Sequence, residues 1–119
     1  MPRSLYETIG GFNVISKIVL SFYDKVLDSD KVASYFTGID MKRLIDHQTK
    51  FICSLLGGPA SFSDEQLRHA HREVKVTDEA FDEITALFSD ALHEASLKPV
   101  EITQIVSAFE SKRPLIVSQ

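Results

Sequence analysis

Apolar side chains recur at intervals of three and four residues along most of the chain. Phe12, Ile15, Val19, Phe22, Tyr23 and Val26 form one stripe at helical spacing, which predicts a helix ending near Leu27. Before it, the run Leu5-Tyr6-Glu7-Thr8-Ile9 reads as a short helical turn stopped by Gly10-Gly11, a pair suited to a sharp reversal. Residues 28–35 read as a short, irregular helical piece, and Phe36-Thr37-Gly38-Ile39 as a bend. Asp40 is placed to cap a helix over 41–56 whose inward face holds Leu44, Gln48, Phe51, Ile52 and Leu55, with His47 on its edge. Gly57-Gly58-Pro59 ends that helix, and residues 60–62 loop into the segment S-D-E-Q-L-R-H-A-H-R-E-V at 63–74. There Ser63 and Gln66 stand at capping-box spacing, so a further short helix is expected. Thr77 caps the next helix, with Phe81, Ile84, Phe88, Leu92 and Ala95 on one stripe. Pro99 suits the first turn of the last long helix, whose stripe is Val100 or Ile102, then Ile105, Val106 and Phe109. Pro114 should bend or end it. No apolar run alternates as a sheet strand would, and Leu115-Ile116-Val117, the β-branched cluster at the end, has no partner strand. The expected fold is all-α with short connections.

Composition narrows this only a little. With 119 residues the chain is long enough for one core, so a single domain over 1–119 is expected. Apolar residues at 44% and charged residues at 25% are ordinary for a soluble globular protein. Thirteen basic against seventeen acidic side chains give a net charge of −4 with no basic stripe, which argues against nucleic acid as a partner. No apolar run approaches the ~20 residues of a membrane span, and no signal-peptide pattern precedes Leu5. A single cysteine, Cys53, leaves no internal disulfide and fits a reducing, cytoplasmic location. It lies off the inner stripe of its helix and reads as an inert, small apolar filler.

The candidate chemistry sits in three side chains. His69 and His71 are two apart and so point ~200° away from each other on a helix, which prevents the pair from gripping one metal ion. The same geometry, and the lack of a suitably spaced fourth ligand, disfavours a zinc site built from His69, His71 and Cys53. Leu67, His71 and Val74 share the i, i+4, i+7 rhythm of a buried face, so His71 should point inward and His69 outward. Taken alone, an inward histidine is most simply a core imidazole satisfied by a carbonyl. Gln48 on an apolar face raises a second question, because a buried amide without a partner costs ~1–3 kcal/mol. Tyr23 raises the same question one helix earlier. Either Tyr23 and Gln48 bond each other in the core, or both reach into a cavity and bond a guest. With His71 facing the same interior, one imidazole opposite two neutral hydrogen-bonding groups suits a haem iron carrying a small polar ligand on its far face. His93 reads as a helix-surface residue, and Arg43, Arg68 and Arg72 as solvated charges.

Gly10-Gly11, Phe22-Tyr23, Phe36, His47-Gln48 followed by Phe51, Gly57-Gly58 and Ala70-His71-Arg72-Glu73-Val74 occur here in a telling order and spacing. In these pieces the chain resembles a truncated haemoglobin of the first (N-type) group over nearly its whole length. The resemblance implies a two-over-two helical sandwich around b-type haem, held without thioether bonds because C-x-x-C-H is missing. It makes His71 the proximal iron ligand, Tyr23 the distal hydroxyl that donates to bound oxygen, and Gln48 its distal partner. Phe36 would pack on the porphyrin, within a wall of Phe22, Phe51, Leu55, Leu67, Phe81 and Ile84. Leu44 stands where other globins often carry a distal histidine or glutamine. His47 matches a position that in some members ligates iron as a sixth ligand and in others pairs a haem propionate; Arg43 is the favoured arginine for a propionate.

The chain also departs from some relatives. Val74-Lys75-Val76 runs straight into Thr77 where some carry a longer, glycine-containing loop, and Ile52 stands where some place a phenylalanine gating an access tunnel. The Tyr-Leu-Gln set resembles that of members implicated in nitric oxide dioxygenation. The implied function is reversible binding of O2, CO and NO at an iron able to be five-coordinate. Turnover with nitric oxide would need an external reductase, since no flavin or nicotinamide module fits in this chain. A monomer is expected. Two other readings remain: oxygen storage or gas sensing without turnover, and a cofactor-free helical interaction module in which Tyr23, Gln48 and His71 are satisfied core residues.

Overall fold

A computed structural model of the chain describes residues 4–58 and 76–117. The capped segment at 63–74, and with it Leu67, Arg68, His69, His71 and Arg72, lies outside the described residues. The helices are α1 (Leu5–Ile9), α2 (Gly11–Leu27), α3 (Met41–Leu55), α4 (Asp78–Glu94), α5 (Pro99–Glu110) and α6 (Arg113–Ile116), with a 3-10 turn at Ala33–Phe36.

Local chemistry accounts for most of the boundaries. Asp40 accepts a hydrogen bond from the Arg43 backbone N–H at 3.3 Å, and Thr77 accepts one from Ala80 at 3.1 Å, so both expected caps form. The Glu101 carboxylate reaches back to the Lys98 N–H at 3.0 Å, beside Pro99 in the first turn of α5. Gly10 reverses the chain between α1 and α2 at φ +117°, and a Cβ there would stand 2.5 Å from Val14 Cγ2. Gly58 serves close approach. The Tyr6 N–H donates to the Leu56 carbonyl at 2.9 Å, bringing α1 onto the end of α3. A Cβ on Gly58 would lie 2.7 Å from Tyr6 Cδ2 and 2.8 Å from the Cys53 carbonyl oxygen. Gly58→Ala is therefore expected to cost ~1–3 kcal/mol in denaturant unfolding, as overpacking does.

α2 packs on both α3 and α4, and α4 packs on α5, which gives the two-over-two arrangement. Ser29 Oγ donates to Glu83 at 2.7 Å, and Lys25 pairs with Glu94, so polar contacts also tie α2 and the turn after it to α4. Phe81, Phe88, Ile15, Leu92 and Ile105 are the largest fully buried side chains. An aromatic series runs through this core from Phe36 to Tyr23, Phe22, Phe88, Phe109 and Phe81, with neighbouring ring centroids 4.8–5.7 Å apart.

Four details differ from the sequence reading. Phe12 shares the register of Val19 but is 47% exposed, because it stands in the first turn of α2, ahead of the residues its face packs against. At the start of the α5 stripe Ile102 is buried and Val100 is exposed, while Ala95 falls at the exposed C-cap of α4. α3 carries two apolar faces about 120° apart at 100° per residue. One, with Leu44, Gln48 and Phe51, borders a cavity; the other, with Thr49, Ile52, Cys53 and Leu56, is packed solid. Cys53 does lie off the cavity-facing stripe, but on a second buried face where it packs as a small apolar filler. Thr49 is buried at no polar cost because Oγ1 donates to the Ile45 carbonyl at 2.7 Å.

The fourth difference is at the C-terminus. α5 ends at Glu110, and Pro114 falls in the first turn of α6, where its missing N–H costs nothing. Val117 then forms an isolated parallel bridge with Val76. α6 is held down by Arg113, whose guanidinium binds Glu110, Asp78 and Asp82 and lies 4.5 Å from the Phe81 ring centroid. The Arg113 hydrogen bond holds the Glu110 carboxyl below the usual carboxylate range. A carboxyl lowered in the folded state stabilises fully above its unfolded value, near ~4.3, and loses that contribution as pH falls towards the lowered value. The stability gap between the wild type and Glu110→Gln should thus be constant from pH 7 to about pH 5 and close under more acidic conditions, as urea midpoints at stepped pH would show.

Candidate functional site

The cavity bordered by α3 has a volume of about 530 Å³. Phe22 and Tyr23 of α2 form one wall, and Arg43, Leu44, His47, Gln48 and Phe51 of α3 another. Tyr35, Phe36, Ile39 and Asp40 close it from the connection between them. Val76, Phe81, Ile84, Phe109 and Ile116 complete the lining from the C-terminal half. Every described helix except α1 contributes a side chain.

Period and pairing explain who reaches inside. Phe22 and Tyr23 are adjacent on α2 and splay by 100°, which puts both on the broad buried stripe, with their own rings edge to face at 4.8 Å. Tyr23 also meets Phe36 edge-on at 5.7 Å, so its ring is clamped on two sides and is 6% exposed. Burial pushes the phenol far above its ordinary pKa, which keeps the hydroxyl a proton donor at any working pH. Gln48, Leu44 and Phe51 lie within one 60° arc of α3, facing Tyr23 across the cavity.

Tyr23 and Gln48 are not bonded to each other: neither side chain makes a hydrogen bond to another described residue. Nor is either sealed in the core, because no fully buried side-chain nitrogen or oxygen among the described residues lacks a partner. Their polar atoms face the cavity. That leaves a donor hydroxyl on a clamped ring and a half-buried amide in a largely aromatic and aliphatic surround. Arg43, His47, Asp40 and Ile39 are exposed and form the mouth, so a cation stands at the rim of an apolar interior.

This donor set fits a haem. The volume lies in the range of cofactor pockets, the walls are aromatic, and two polar groups without a bonding partner among the described residues are placed for a small ligand. Arg43 at the rim suits a propionate.

Of the residues singled out in the sequence, Tyr23, Gln48, Phe22, Phe36, Arg43, Leu44, His47, Phe51, Phe81 and Ile84 line the cavity together. Leu55 does not; it is half-buried and packs against the core one turn further along α3. His71 and Leu67 lie outside the described residues, five and nine positions before Val76, which lines the cavity. Tyr35, Ile39, Asp40, Val76, Phe109 and Ile116 were not foreseen as lining. Phe109 was legible as an apolar stripe position, and Tyr35 and Ile39 flank Phe36. Nothing local distinguishes Val76 or Ile116, which reach the cavity through the Val76–Val117 bridge.

Comparison with known proteins agrees with this architecture. The sequence model of the bacterial-like globin family matches residues 4–117. A group 1 truncated hemoglobin of Tetrahymena pyriformis is 30% identical over 112 residues, covering 94% of this chain and 93% of its own. One of Mycolicibacterium paratuberculosis is 29% identical over 117 residues, covering 98% of this chain and 86% of its own. The crystal structure of the Tetrahymena pyriformis truncated hemoglobin in its Fe(III) form superposes with a TM-score of 0.90 at 28% identity, over 98% of this chain and all of that one. The chain belongs to the bacterial-like globin family, a truncated haemoglobin of the first group in a family of haem-based gas-binding proteins.

Proposed function

We propose that the chain is a b-type haem protein that binds dioxygen reversibly, together with CO and NO, and supports conversion of nitric oxide to nitrate. The single observation that carries this reading is the pairing of Tyr23 and Gln48 in one cavity without a bond between them. Haem, when bound, supplies an iron that takes up a diatomic gas and passes electron density to dioxygen. His71 would hold the iron, and the Tyr23 hydroxyl, which burial keeps protonated even in alkaline solution, would donate to a small polar ligand. Gln48, not bonded to that hydroxyl, would donate to the same ligand in its own right. Leu44, Phe22 and Phe51 exclude water, which raises the worth of each hydrogen bond. Arg43, or His47 beside it, would pair a propionate at the mouth; alternatively, His47 would serve as a second protein ligand to the iron.

Oxygen held by two hydrogen bonds in an apolar pocket should be released slowly, which suits reaction better than delivery. Nitric oxide, dioxygen and one electron balance to nitrate, and a reductase partner would supply the electron. The test starts with the absorption spectrum of the ferrous protein with and without carbon monoxide, which reports haem, coordination number and ligand access together. Oxygenated protein should then consume nitric oxide stoichiometrically with nitrate appearing. Oxygenated protein that leaves nitric oxide untouched would reduce the role to storage or sensing. Purified protein with no Soret band, unable to take up hemin, would remove the cofactor altogether.

A further inference from the structure

The Arg113 cluster serves no role in the reading above, yet it borders the cavity from behind. α6 has only four residues, too few to hold a helix alone, and its apolar side chains are half-buried at best. Its backbone reaches the rest of the fold through the isolated Val76–Val117 bridge. The guanidinium supplies the remainder. Nε donates to Glu110 Oε2 at 2.9 Å and Nη2 to Glu110 Oε1 at 2.7 Å, a two-pronged contact with the end of α5. Nη1 donates to Asp78 Oδ1 at 3.0 Å and to the Asp78 carbonyl at 3.3 Å, and Nη2 also binds Asp82, so the same group grips the first turns of α4. Its Cζ stands 4.5 Å from the centroid of Phe81, which is 1% exposed and lines the cavity.

We propose that Arg113 is a positioning residue for the haem cavity: a polar latch that seats Ile116 in the cavity wall and Val117 against Val76 by clamping α6 to α4 over Phe81. The inference rests on the haem reading for its consequence and on the contacts above for its mechanism. Without the cation, the Asp78, Asp82 and Glu110 carboxylates face one another unneutralised, α6 has little left to anchor it, and water reaches the cavity beside Phe81. The Arg113 side chain keeps 23% of its surface exposed, so salt should weaken the latch.

The test uses the holoprotein and follows hemin transfer to an excess of apomyoglobin. Arg113→Met is expected to lose hemin about tenfold faster than the wild type at low salt. Raising the salt should speed loss from the wild type and leave the variant unchanged, a difference that simple core loosening would not produce. Arg113→Lys, which keeps the charge but not the planar fork, should fall between them. Wild-type rates and wild-type salt dependence in Arg113→Met would overturn the latch. If Arg113→Met does not fold, Asp82→Asn takes its place: faster hemin loss supports the proposal and an unchanged rate overturns it. If the wild type itself takes up no hemin, the cofactor reading has failed and the latch is read from amide exchange alone. Selectively faster exchange at Leu115 and Val117 in the variant supports it, and unaltered exchange there overturns it.

Discussion

Replacing Tyr23 by phenylalanine is expected to speed oxygen release from the ferrous protein by about ten- to a hundredfold, because a hydrogen bond to a charged or strongly polarised partner is worth ~1.5–3 kcal/mol. The substitution removes one hydroxyl and little else. The ring keeps its edge-to-face contacts with Phe22 at 4.8 Å and Phe36 at 5.7 Å, and the hydroxyl gives up no bond to another described residue. Fold stability should therefore hold while the gas rate changes. Carbon monoxide accepts hydrogen bonds poorly, so its release should change much less and serves as the control. Stopped-flow displacement of oxygen measures the first rate; an oxygen rate equal to the wild type's would take Tyr23 out of the mechanism. Gln48→Leu should act in the same direction but more weakly, since the Tyr23 hydroxyl remains and only the amide's own hydrogen bond to the ligand is lost.

The second large effect concerns His71. His71→Gly should yield protein without a stable Soret band, and added imidazole should restore much of it by filling the position left by the side chain. The assignment comes from the residues: His71 shares the periodicity of Leu67 and Val74, stands opposite in role to Tyr23 and Gln48, and matches the proximal position of the family in Ala70-His71-Arg72-Glu73-Val74. Because the described cavity lining already holds an exposed histidine, His47, the experiment also separates the two. His47→Leu should leave hemin binding in place and alter at most the spectrum of the gas-free state. A glycine variant at 71 that purifies equally red, with an unaltered spectrum, would transfer the proximal role elsewhere.

The two apolar faces of α3 show how far a one-dimensional pattern carries. Leu44, Gln48 and Phe51 were readable as one face because residues 3 and 4 apart align on a helix. That Thr49 sits on a second buried face beside Cys53 was not readable, since threonine is mostly a surface residue and one cysteine does not define a face. Burial of Thr49 depends on its bond back to Ile45 and on the packing of α3 against the rest of the fold. Leu55 illustrates the converse: it lies in register with Gln48, yet the cavity has ended by that turn.

Read alone, the chain determined the helices, their caps at Asp40 and Thr77, the reversal at Gly10-Gly11, and the short list of polar side chains on apolar faces. These are local or periodic properties, encoded in the neighbours of each residue and in 100° steps around an axis. Tertiary structure alone decided whether Tyr23 and Gln48 would satisfy each other or face a cavity. It alone brought Val76 and Ile116, forty positions apart, to the same wall, and set one guanidinium over Phe81 between two helices and the C-terminal turn. Those outcomes depend on distances between segments far apart in the chain, and no spacing rule within a segment contains them.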